Sequence, residues 1–264
     1  MPCGVEAKMS KSKAPSPEIA STGNPRVHEW VRQREEHYLF AGEKLVGDLL
    51  ARDIVPDLLL VEAGHPLAER WAGAARETVL VSSRVLAKVS GLVTPPPCLA
   101  VVHALAEGIP WAEQRVVWGL CGVQDPGNAG TLFRCAAAFG FSALALTESG
   151  VSPRNPKFLR AAQTSLFALR FARFPRLEDL LAEARAAGFA AVATGARPAG
   201  GGISPAELPE RSLILLGSEG KGLPADLLAS APVLSIPQGE AVESLNVAVA
   251  GAILMHWVAG AGRG

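Results

Sequence analysis

Apolar residues recur along the chain in two alternating periods, and each change of period predicts a change of element. Residues 1–24 are rich in Ser, Pro, Lys and Ala and carry no apolar periodicity, so they are expected to form a flexible tail outside the fold. From Arg26 the pattern becomes helical, and Leu45, Val46, Leu49 and Leu50 make the stripe of an amphipathic helix over Gly42–Leu50. Asp57–Val61 and Thr78–Val81 read as strands, Ser83–Ser90 as a helix, and Leu99–Val102 as a strand after three prolines. These elements predict a small α/β unit over residues 25–107, closed by the interruptions at Gly108 and Pro110.

From Ala112 to the C-terminus, strands and helices alternate. Strands are predicted at Arg115–Cys121, Phe141–Leu146, Phe189–Thr194, Ser212–Leu216 and Val233–Ile236; helices at Ala129–Phe139, Lys157–Leu166, Leu177–Ala187 and Ser244–Val258. Such alternation implies an α/β domain over residues 112–264, its mostly parallel sheet covered by helices on both faces. The last helix is apolar almost all round and is expected to be buried. Ala248, Ala250, Gly251 and Ala252 would let a second helix approach it closely.

Charge and composition narrow the picture only slightly. The 25 basic and 25 acidic residues cancel, so a nucleic-acid footprint would have to be local. One such patch exists: Arg154, Lys157, Arg160, Arg170, Arg173 and Arg176 follow one another with no acid between them. A solvated helix face and a phosphate-binding surface both fit this run. Cys3, Cys98, Cys121 and Cys135 show no metal-ligand spacing and read as reduced thiols, so no metal is expected. No stretch resembles a signal peptide or approaches the ~20 apolar residues of a membrane span, and a cytoplasmic protein is expected.

Three loops carry the candidate chemistry. In Val123–Cys135, Asn128 is suited to cap the following helix, and Arg134 falls about 130° from its apolar stripe, free to face a site. The glycine spacing here is not that of a dinucleotide fingerprint. Leu215–Pro224 follows a strand with Gly217, Gly220 and Gly222 around Glu219, which lets backbone approach a ligand closely but lacks the triphosphate-loop pattern. Ile236–Asn246 leads into the last helix and gathers Glu243, Ser244 and Asn246, more polar groups than capping requires.

Asn128 with Arg134, Leu216-Gly217-Ser218-Glu219-Gly220, and Ile236-Pro237 with Ser244-Leu245-Asn246-Val247 resemble, in order, the three signature motifs of the SpoU (TrmH-like) RNA 2'-O-methyltransferases of the SPOUT superfamily. The resemblance covers Arg115 to the C-terminus. Phe40–Val46 and Pro95–Val102 resemble, more loosely, the RNA substrate-binding domain that precedes this domain in rRNA-modifying members.

The resemblance implies a C-terminal trefoil knot, S-adenosylmethionine as cofactor, a homodimer, and methylation of a ribose 2'-hydroxyl of RNA, ribosomal RNA in the first place. It implies that Thr194, Gly195, Gly217, Glu219, Gly220, Ile236 and Leu245 enclose the cofactor, while Asn128, Arg134, Glu219, Ser244 and Asn246 form the catalytic set. Arg154, Lys157 and Arg160 would touch RNA. Arg134 matches the family's catalytic arginine, as general base or as electrostatic stabiliser; a guanidinium that stays protonated favours the second role. A tRNA substrate, a catalytically silent RNA-binding module on the same fold, and a nucleotide-dependent small-molecule enzyme are the competing readings.

Overall fold

The computed structural model describes residues 16–105, 107–195, 202–239 and 244–261. The chain divides into two compact units between Ala104 and Leu105.

The first unit contains β1 (Ser16–Ile19), α1 (Pro25–Glu36), β2 (Tyr38–Ala41), α2 (Glu43–Leu50), β3 (Leu58–Glu62), α3 (Leu67–Arg70), β4 (Glu77–Val81), α4 (Ser83–Ser90) and β5 (Cys98–Val102). Its five strands lie in the order β1-β4-β3-β5-β2, with β5 antiparallel to both of its neighbours. Alternate residues Leu58, Leu60, Val79, Val81, Leu99 and Val101 share one face, which α1 covers with Val27 and Trp30 and α4 with Val85, Leu86 and Val89. Helix α4 has the expected bounds because both ends are signalled locally. The Ser82 hydroxyl accepts the Val85 N–H, and Gly91 ends the helix at φ +72°.

Strand β1 corrects the expectation of a tail for residues 16–24; residues 1–15 lie outside the described residues. It pairs in parallel with β4, the Ser82 N–H reaches the Ile19 carbonyl at 3.3 Å, and Lys88 Nζ donates to the Thr22 carbonyl at 3.0 Å. Those partners lie far along the chain, so local periodicity carries no sign of them. An edge position also tolerates Pro17, which has no N–H to donate.

The second unit contains β6 (Val116–Leu120), α5 (Pro126–Ala138), β7 (Ala143–Thr147), α6 (Pro156–Ala162), α7 (Ser165–Ala168), β8 (Arg170–Phe174), α8 (Leu177–Ala186), β9 (Ala190–Thr194), β10 (Ser212–Leu216), α9 (Ala225–Ser230), β11 (Val233–Leu234) and α10 (Val247–Ala261). All six strands run parallel in the order β11-β9-β10-β6-β7-β8, in agreement with the α/β expectation. The first strand sits in the interior; the chain leaves it toward β8, then returns to build the other half. The crevice between β6 and β10 is therefore the switch point of the sheet.

The boundary differs from the expected one. Gly108 and Pro110 look like linker residues, yet the Gly108 N–H donates to the Phe171 carbonyl, and Ile109 and Trp111 pack on the second unit's core. The predicted helix Lys157–Leu166 is two helices, broken at Gln163, whose φ of +51° cannot continue a helix. Strand β8, unforeseen, absorbs two arginines of the basic run: Arg170 and Arg173 are residues of a sheet edge, where charges discourage further strand pairing.

Close helix packing frames the loops. A Cβ on Gly130 of α5 would stand 2.4 Å from Ala161 Cβ of α6, and one on Gly251 of α10 would stand 2.2 Å from Leu132 Cδ2 of α5. Gly251 and the buried Ala248 thus serve packing within the subunit, not the approach of a second copy. The outward stripe of α10 is a different one, with Val249 50% and Trp257 36% exposed.

Candidate functional site

Asp125 caps α5: its carboxylate accepts the Asn128 N–H at 2.7 Å, and Pro126 supplies a first helical residue with a preset φ. Asn128 is therefore not the cap it was expected to be. It lies inside the first turn with its side chain free for another task.

That task joins the three sequence motifs. Asn128 Nδ2 donates to Glu219 Oε1 at 2.7 Å, and Asn128 Oδ1 accepts from Asn246 Nδ2 at 3.2 Å. Asn246 Oδ1 in turn accepts the N–H groups of Ala248 and Val249 at 2.9 and 3.3 Å, which caps α10. The polarity of the chain follows from the helix end. The orphan N–H groups fix Asn246 with its oxygen toward α10, so its amide nitrogen faces Asn128; Asn128 must then offer its own nitrogen to the carboxylate.

Beside this relay is a cleft of about 470 Å³, within the ~300–1,000 Å³ range of small-ligand sites. Thr194, Gly195, Gly217, Glu219, Ile236 and Leu245, the residues the resemblance assigns to the cofactor, line it together with Ser244 and Asn246. Leu216, Leu234, Val247, Ala250 and Leu254 add an aliphatic wall. The Thr194 hydroxyl donates to the Leu215 carbonyl at 2.8 Å, tying the end of β9 to β10.

Two expected site residues, Gly220 and Arg134, do not border this cleft. Gly220 lines a neighbouring cavity and not this cleft. Gly217, on the cleft lining, is also required by the loop itself: a Cβ there would lie 2.4 Å from the Gly222 carbonyl carbon and 2.6 Å from the Leu223 nitrogen. Arg134 is exposed on α5, one turn beyond Gly130, and borders neither cavity. Glu243 lies outside the described residues.

The basic patch is partly engaged. Arg154 faces the Glu107 carboxylate at 3.7 Å, Arg170 donates to the Glu107 carbonyl at 3.0 Å, and Arg176 pairs with Asp179 at 2.8 Å. Lys157 and Arg160 are exposed on α6. Among the described residues no group of three or more His, Cys, Asp or Glu side chains could hold a metal ion.

Comparison with known proteins decides what these motifs belong to. The profile of the SpoU rRNA Methylase family matches residues 115–256. The chain belongs to this family. It is 32% identical to the 23S rRNA (guanosine(2553)-2'-O)-methyltransferase RlmP of Bacillus subtilis over 254 residues, 92% of this chain and 99% of that protein. The AdoMet-bound rRNA methyltransferase from Sinorhizobium meliloti has the same fold, with a TM-score of 0.78 at 26% identity over 92% of this chain and 97% of that one. A solved RNA 2'-O ribose methyltransferase matches with a TM-score of 0.73 at 25% identity, over 94% and 100% of the two chains. Similarity thus extends through both units, and SpoU-family membership accounts for the order and spacing of the three loops.

Proposed function

We propose that this SpoU-family protein transfers the methyl group of S-adenosylmethionine to a ribose 2'-hydroxyl of ribosomal RNA. The observation that carries the proposal is the relay from Asn246 through Asn128 to Glu219, which gathers one residue from each motif at the wall of the cleft. The cleft suits the cofactor: backbone at Gly195 and Gly217 can read polar edges, and Leu234, Ile236, Leu245 and Leu254 can cover a ring and an aliphatic chain. When bound, the cofactor supplies an electrophilic methyl group. The chain's residues orient the acceptor and manage the proton that departs.

In this reading Glu219 Oε2 meets the 2'-hydroxyl, while Asn128 holds the other carboxylate oxygen and so fixes its direction. Ser244, on the cleft wall, positions the reacting groups. Arg134 clamps a neighbouring phosphate and stabilises charge developing on the acceptor oxygen, a role for which a permanent cation is suited. Lys157 and Arg160 extend the phosphate contacts, and the first unit selects the RNA. The terminal trefoil knot belongs to the same reading. A ribosomal RNA substrate also calls for a protein of the cytoplasm; no helix among the described residues is long and apolar enough to cross a membrane.

The test is incubation of the protein with labelled S-adenosylmethionine and ribosomal RNA lacking the modification, followed by digestion to nucleosides and mapping of the site. Label in a single 2'-O-methylnucleoside is expected. Label on a base, or none, would overturn the assignment.

A homodimer forms part of the proposal, with the stripe of Val249, Ile253 and Trp257 on α10 as its contact. Sedimentation equilibrium should give a dimer at micromolar concentration and a monomer for Trp257→Glu. A monomeric wild-type protein would contradict it.

A further inference from the structure

A second cavity of about 790 Å³ opens where β6, β7 and β10 end, at the switch point of the sheet. Open α/β sheets take ligands at such crevices. Ser218, Glu219 and Gly222 border both this cavity and the cleft, so the Gly217–Gly222 loop is a partition between them.

The walls are already built. Gly122, at φ +71°, donates its N–H to Thr147 Oγ1 at 2.9 Å, and the Val151 N–H reaches the Val123 carbonyl at 2.9 Å, which welds the loop after β6 to the loop after β7. The partition loop closes on itself through the Gly222 N–H and the Ser218 carbonyl at 2.9 Å. Thr147 Oγ1 and Ser149 Oγ share a hydrogen bond of 2.9 Å, leaving Ser149 able to donate or accept toward the cavity.

The floor is apolar, from Cys121, Leu177 and Leu223. Burial pushes the Cys121 thiol up to about 12, so it stays neutral and behaves as an apolar surface. The rim is polar: Gln124 and Lys221 are exposed, and their side chains make no hydrogen bond or ion pair among the described residues. Apolar side chains beside unengaged hydrogen-bonding groups are the composition that can cover a ring and read its edge.

We propose that this cavity receives the nucleobase of the methyl-accepting nucleotide, turned out of its stack, with Gln124 and Lys221 reading its edge. The inference rests on the methyl-transfer reading above. Once the ribose hydroxyl stands at Glu219, the attached base falls within reach of the far side of the partition, because Glu219 borders both spaces. A bare phosphate fits less well, since an anion there would meet the Glu219 carboxylate with Lys221 as the one cation on the lining. Taking a base out of its stack is how proteins reach groups that stacking hides.

The experiment is a cycle on the full chain, with wild-type protein and the Gln124→Ala/Lys221→Ala variant, each given RNA with the mapped nucleotide intact or abasic but retaining its 2'-hydroxyl. Both substitutions lie outside the cofactor cleft, so unchanged affinity for S-adenosylhomocysteine verifies the fold. Removing the base should slow the wild-type protein at subsaturating RNA by at least about tenfold. The variant should methylate both RNAs at rates within about twofold of one another, because it has lost the groups that detect the base. Equal proportional slowing of wild type and variant by base removal would overturn the inference and leave methyl transfer standing. Failure of the wild type to methylate intact RNA would overturn both.

Discussion

On one side of the Gly217–Gly222 loop the space is walled by aliphatic side chains from β10, β11 and α10, with backbone and a few fixed polar groups between them; on the other, Cys121, Leu177 and Leu223 lie beside a rim that carries the exposed Gln124 and Lys221. The two spaces share Ser218, Glu219 and Gly222 and little else. In the proposal the first side takes a cofactor that is the same at every turnover, and the aliphatic wall can cover it. The second side takes part of an RNA strand that has to enter and leave, with Gln124 and Lys221 at its rim. Glu219 stands on the boundary, where the proposed reaction would join the contents of the two sides.

The comparison breaks most severely at the loop itself. Gly217→Ala would put a Cβ within 2.4–2.8 Å of the Gly222 and Leu223 backbone, which cannot yield as a flexible side chain would. The loop must shift, at a cost of about 1–3 kcal/mol, and calorimetry should show cofactor affinity lowered by at least about tenfold, with methyl transfer lost. Gly220→Ala is the control: nothing lies within 4 Å of its Cβ, and cofactor affinity should stay within about twofold. Equal losses in both variants would show that Gly220 belongs to the cofactor side.

Arg134 sharpens the comparison from the RNA side. It borders neither space, so Arg134→Ala should leave cofactor affinity unchanged while lowering the single-turnover rate by about 10²–10³-fold. Arg134→Lys should recover little, since an ammonium lacks the planar fork that grips a phosphate. A near-normal rate for Arg134→Ala at saturating RNA would remove the residue from the reaction.

Much of this was legible in the chain because strand, loop and helix followed one another with local signals. The parallel sheet follows from periodicity and the three loops from motif order; the residues named for the cofactor came from the family resemblance, and most of them line one cleft. What was not legible depended on distant partners. Strand β1 has almost no apolar pattern and exists because β4 offers it an edge; in the second unit, β8 reads as part of a basic run because Arg170 and Arg173 stand on an edge strand of that unit's sheet. Asn128 was the natural cap by residue type, yet Asp125 precedes a proline and takes that place, which releases Asn128 for Glu219. The second cavity had no motif of its own. Its signal was topological: Thr147 ends a strand beside the switch point, a fact available only once strand order is known.

The relay is the account's central claim, and Asn128→Ala tests it most directly. The substitution removes the hydrogen bonds to Glu219 and Asn246 while leaving the cleft lining and the α10 cap in place. Loss of a hydrogen bond to a charged group is worth roughly 1.5–3 kcal/mol, so the single-turnover rate with saturating cofactor and RNA should fall about 10- to 10²-fold. Affinity for S-adenosylmethionine, measured on the same preparation, should stay within about twofold. A rate near that of the wild-type protein, or a loss of cofactor affinity as large as the loss of rate, would contradict the account.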